Sequence, residues 1–103
     1  MLQSMAEYNE SSSIQSGERV MKAYIEAFGE VEITINREEK SAYANGYGFQ
    51  CWASIGDDRK LYSNSNDITT NYLKVAIVKA LQNEGFEVED IKPYPMNREI
   101  TIL

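Results

Sequence analysis

The side chains that could do chemistry in this chain are sixteen carboxylates, one thiol and seven tyrosines, and there is no histidine. Without histidine the chain lacks Ser-His and Cys-His nucleophile pairs and the commonest ligand of transition metals. The one thiol, Cys51, lies in FQCWASI, where Phe49, Cys51, Ala53 and Ile55 alternate with Gln50, Trp52 and Ser54. Alternation of this kind puts Cys51 on the inward face of a strand, as a buried structural thiol and not a nucleophile. Glu87, Glu89 and Asp90 could meet Asp57 or Asp58 around a hard cation, but their spacing matches no calcium loop, and they read as a solvated acidic edge. The expectation is therefore a non-enzymatic protein with no catalytic residue, no metal and no cofactor.

What remains is recognition. Tyr43, Tyr47, Tyr62, Tyr72 and Tyr94 all fall in or beside expected sheet segments, and Trp52 lies on the second face of its strand. Aromatic side chains of this kind anchor protein interfaces, because they bury much area for little conformational entropy. The candidate interaction surface drawn from the sequence is Trp52, Tyr62, Lys74, Val75, Val78, Glu87, Glu89 and Tyr94.

The elements that would position these residues follow from periodicity. Residues 49–55 and 60–62 form a hairpin, reversed at Gly56-Asp57-Asp58. A helix follows, capped at its start by Asp67 and ended by Gly85. Tyr72, Leu73, Ala76, Ile77, Ala80 and Leu81 share one half of that helix; Asn71, Lys74, Lys79 and Gln82 share the other, with Val75 and Val78 among them. Upstream, Val20, Met21, Ala23, Tyr24, Ile25, Ala27 and Phe28 occupy one arc of a helical wheel, which predicts a first helix from Ser16 to Gly29. Val31, Ile33 and Ile35 alternate as a half-buried strand, and 37–45 reads as a charged, small-residue loop. Phe86 and Val88 alternate with Glu87 and Glu89 as a further strand, Pro93 and Pro95 interrupt the ladder, and 98–103 reads as a terminal strand.

The sequence thus predicts an α+β fold: an antiparallel sheet of four to five strands with two helices packed on one face, in the order α-β-β-β-α-β(-β). Residues 1–15 read as a flexible N-terminal tail and 16–103 as one domain. Hydrophobic residues make up 43% and charged residues 25%, which is ordinary globular usage. A single cysteine, no apolar membrane span and no signal segment predict a cytoplasmic protein. The net charge of −6 is uneven: 1–39 holds eight acids and three bases, 40–81 three and five, 82–103 five and two. A field of this sign opposes phosphate binding except through the weakly basic middle, with Lys60, Lys74 and Lys79 as its contacts.

Two resemblances arise from these residues. The predicted order over 17–84, with Ala76-Ile77-Val78-Lys79-Ala80-Leu81 in the last helix, is similar to the double-stranded RNA-binding domain, which implies an RNA-binding α+β fold. That family's lysine cluster at the start of this helix reads Ile68-Thr69-Thr70-Asn71 here. Val31-Glu32-Ile33, Gly46-Tyr47-Gly48, Thr69-Thr70-Asn71 and Ala76-Ile77-Val78 resemble the first half of ribonuclease H in their order, with Asn36 where that family has a magnesium-binding aspartate. This second resemblance implies a degenerate fold without activity. From the residues themselves, the leading expectation is a small acidic binding protein acting by protein–protein contact, as an inhibitor or regulator of a nucleic-acid-handling protein. Nucleic-acid binding comes second and homodimerisation third.

Overall fold

The computed structural model describes residues 17–89 and 98–103. Among the described residues six strands form one antiparallel half-barrel sheet, and one helix fills its inner side. The strands are β1 (Glu18–Ile25), β2 (Gly29–Asn36), β3 (Ser41–Gly46), β4 (Phe49–Ile55), β5 (Leu61–Ser63) and β6 (Ile100–Ile102); the helix, α1 (Ile68–Asn83), lies between β5 and β6 in the chain. Across the sheet the order is β5-β4-β3-β2-β1-β6, so the first five strands form a meander and the last returns to pair with the first.

This corrects the expected four to five strands and two helices. The segment read as a first helix is β1, in which Met21, Ala23 and Ile25 are buried while Val20, Lys22 and Tyr24 are exposed. Eight residues of β1 pair with β2 from Glu18 opposite Asn36 to Ile25 opposite Gly29. The apolar residues at 20–25 satisfy both a helical arc and a period of two. Pairing with the alternating β2 buries Met21, Ala23 and Ile25 together with Val31, Ile33 and Ile35, and tertiary contact overrides the helical pattern. Both resemblances lose their element order with this change, since five strands rather than three precede the helix and no helix occupies 18–28.

The expected loop 37–45 is also corrected, because only 37–40 turns and Ser41 opens β3. Its inward residues, Ala42 and Ala44, carry too little hydrophobic bulk to announce a strand, yet small residues suit this place. Ala23, Ala42, Ala44 and Ala53 on the sheet meet a helix whose own inner half includes Ala76 and Ala80, which lets the two layers close tightly. Gly46 belongs to the same packing, since a side-chain carbon there would run into Val31. The next turn is two residues long, with Tyr47 at φ 37° and Gly48 at φ 83°, the type I′ geometry that matches strand twist.

The helix meets expectation closely. Asp67 accepts the backbone N–H of Thr70 at 2.8 Å while the Thr70 hydroxyl accepts the Asp67 N–H, a reciprocal capping box, and Gly85 adopts φ 94° past the other end. Tyr72, Leu73, Ala76, Ile77, Ala80 and Leu81 are all buried against the sheet. Burying one Leu or Ile side chain contributes about 1.5–3 kcal/mol, so Ile25, Ile33, Ile35, Leu73, Ile77 and Leu81 are the centre of the core. Asn71 is buried too, contrary to its assignment to the outer half. At the helix's end Glu84 receives Arg19 and Arg37, each at 3.3 Å, and ties the helix to β1 and to the turn after β2. The segment after Gly85 keeps its alternation, with Phe86 and Val88 half-buried and Glu87 and Glu89 exposed, but it joins no ladder. The terminal strand is β6, three residues long. The expected tail, 1–15, lies outside the described residues.

Candidate functional site

One helix covers one face of the sheet, so the even-numbered positions of β1, β2, β4 and β5, and the odd-numbered ones of β3, stand on the other. Register then fixes which of them are neighbours. Val20 lies opposite Thr34, Thr34 opposite Tyr43, and Tyr43 opposite Trp52, which makes one row across four strands. The adjacent row runs Glu18, Asn36, Ser41, Ser54 and Tyr62. On the other flank Lys22 faces Glu32, Asn45 faces both Glu32 and Gln50, and Tyr24 faces Glu30.

The bulk on this open face is aromatic. Tyr43 is 40% exposed, Trp52 51% and Tyr62 53%. Trp52 is held by its backbone, since its N–H donates to Asn64 Oδ1 at 2.9 Å and its carbonyl accepts the Asn64 N–H at 3.3 Å. The Tyr62 hydroxyl donates to Asp58 Oδ2 at 2.6 Å, a short charge-assisted bond. That bond keeps the Asp58 carboxyl below its ordinary value and raises the Tyr62 phenol. Between the long side chains of the first row and the turn after β2, the short Asn36 and Ser41 leave a depression of about 280 Å³. Tyr43 and Trp52 wall it on one side, and Glu18 and Glu39 also line it. Among the strand positions of this face the charged residues are Glu18, Glu30, Glu32 and Lys22, and Lys22 is paired with Glu30 at 3.7 Å.

The sequence-derived candidates divide among separate places. Trp52 and Tyr62 are on the open face of the sheet. Lys74, Val75 and Val78 are half-buried on the helix, beyond the sheet's other side. Glu87 and Glu89 are exposed near the β4–β5 turn, where Glu87 pairs with Arg59 at 3.1 Å and the Glu89 N–H donates to the Arg59 carbonyl at 2.8 Å. They line a hollow of about 470 Å³ with Asp58, Arg59 and Phe86. Tyr94 and Asp90 lie outside the described residues. Among the described residues no three of His, Cys, Asp and Glu stand together as a metal site. Val20 and Tyr24 were missed as surface residues, since their helical assignment turned them inward. The signal that would have found them is the period of two shared by 18–25 and 29–36.

Tyr47 and Tyr72 have structural partners in the core. Tyr47 stacks on Phe28 with ring centroids 4.6 Å apart and donates its hydroxyl to the Thr69 carbonyl at 2.9 Å. Tyr72 meets the edge of Phe28 at 5.3 Å, and the Arg98 guanidinium covers the Phe28 ring at 4.6 Å. Desolvation, then nearby negative charge, raises the Tyr47 phenol to about 12. Cys51 is fully buried under the helix, and burial raises its thiol to about 11.

Among the described residues, site and fold together define an α+β domain with one helix-covered sheet face and one aromatic face that no described element covers. No protein-family model, curated protein or solved structure matches the chain. Among the described residues no helix is long and apolar enough to cross a membrane.

Proposed function

We propose that this chain is a non-enzymatic binding protein that docks its open sheet face onto a protein partner bearing basic residues around an apolar centre. The observation that carries this reading is the group Tyr43, Trp52 and Tyr62, held about half exposed on the sheet face that no described element covers. A rigid strand presents these rings without the entropy loss of ordering a loop, and such anchors supply about 2 kcal/mol or more each at interface hot spots. The surrounding charge decides the partner's sign. Glu18, Glu30 and Glu32 outweigh Lys22 on this face, and the whole chain carries −6, so a basic partner is steered toward it and nucleic acid is repelled. The sharper form is a regulator or inhibitor that competes with nucleic acid for a basic site on a protein that handles it.

The test is affinity capture from extract of the source cells with wild type, W52A/Y62A and V75K/V78K. The expected outcome is a stoichiometric partner, eluted by salt, that is lost with W52A/Y62A and kept with V75K/V78K. A partner retained by W52A/Y62A overturns the docking face. Measurable affinity for single-stranded DNA or RNA at low salt, abolished by W52A, overturns the partner class.

A further inference from the structure

We infer that the depression beside Trp52 receives an arginine side chain of the partner, its guanidinium lying on the Trp52 and Tyr43 rings and its N–H groups meeting Glu18 and Glu39. This rests on the reading that the open sheet face docks protein. Size argues first: about 280 Å³ lies at the small end of the roughly 300–1,000 Å³ range of ligand sites and is enough for one inserted side chain. Charge argues next. Among the described residues neither Glu18 nor Glu39 is in a salt bridge, in contrast to Glu30, Glu84 and Glu87, so both carboxylates are available to a cation. The rings choose among cations, because a planar, weakly hydrated guanidinium stacks on aromatic faces and presents several donors in a fixed fork, whereas an ammonium is a strongly hydrated point charge. Ser41 on the floor adds a hydroxyl oxygen for a donor that the carboxylates do not take, while Asn36 Oδ1 already accepts the Glu39 N–H at 3.0 Å and fixes the turn that carries Glu39.

Trp52 is the chain's one tryptophan, so its emission and its indole N–H resonance report on this depression alone. The experiment titrates the full chain with acetyl-Gly-Arg-Gly-amide, its lysine and citrulline counterparts, maltotriose and a short oligothymidylate. The expected result is a saturable change with the arginine peptide, a weaker one with lysine, and none with citrulline, which keeps the shape and loses the charge. In E18Q/E39Q, whose substitutions lie on the surface, the arginine affinity falls roughly fivefold or more and its salt dependence flattens. No saturable change with the arginine peptide, an equal change with citrulline, or a change with maltotriose or oligothymidylate instead overturns the assignment. Failure here together with partner loss in W52A/Y62A leaves aromatic docking standing and removes only the arginine. Partner retention in W52A/Y62A removes the docking reading itself.

Discussion

Tyr47 shows how one residue couples a turn to the core. It takes a positive φ, which costs an L-residue about 1–2 kcal/mol, and it is held there by its stack on Phe28 and its hydrogen bond to Thr69. Only the neutral phenol can donate that bond. Its value in the fold, about 12, lies above the ordinary 10, so its stabilisation is complete below pH 10 and is lost as pH rises toward 12. Y47F is expected to cost about 1 kcal/mol at pH 7 and to show a smaller loss of stability between pH 10 and 12 than wild type, read from denaturant midpoints across that range. At this scale the sequence was legible where a residue's neighbours alternate: Cys51 and Ala53 are inward as their strand pattern required. It was not legible for Tyr24 and Val20, whose exposure depends on a strand partner, nor for Asn71, whose burial depends on what packs beside the helix.

Elements divide by how locally they are encoded. The helix carries its own start in Asp67, its stop in Gly85 and a six-residue buried stripe, and all three were visible in the chain; the reciprocal bond from Thr70 was not read there. The β4–β5 hairpin likewise turns at the predicted glycine and aspartates, closed by Gly56 N–H donating to the Lys60 carbonyl at 2.9 Å. β1 and β3 were hidden for opposite reasons. The apolar residues of β1 fit two periods, and those of β3 are alanines, whose value comes only from the helix pressed against them. For the helix cap the pH effect runs opposite to that of Tyr47. The Thr70 backbone N–H holds the Asp67 carboxyl below its ordinary value near 4, so its contribution is full above that pH and fades as pH falls through the lower folded value. D67A is expected to lower Tm by a few degrees at pH 7, with the difference from wild type shrinking toward pH 2; a pH-independent difference in thermal melts would mean that the carboxylate is not the capping group.

For the whole molecule, the two faces of the sheet do different work. The inner face, closed by α1, supplies stability through buried aliphatic residues, and the outer face holds Tyr43, Trp52 and Tyr62 about half exposed, the rings to which the proposed docking assigns contact. Substitutions there are expected to change binding and leave the fold in place. The sheet's rim and centre are unequal in the same way: β6 adds only three residues to β1, whereas β2 pairs with β1 over its whole length and with β3 from Glu32 to Asn36. In native-state hydrogen exchange, amides of 100–102 should exchange through a smaller opening than those of β2 and β3. Equal protection would place β6 in the same cooperative unit as the centre.

The β6–β1 pairing also sets an order of events. Each of the first five strands reaches its neighbour through a connection of a few residues, which closes in well under a millisecond, but Ala23 and Ile102 are roughly eighty residues apart along the chain. Loop-closure entropy delays that last contact until helix and meander have already brought the ends together. Until then the outer edge of β1 stays unpaired and open to pairing with a strand of another copy.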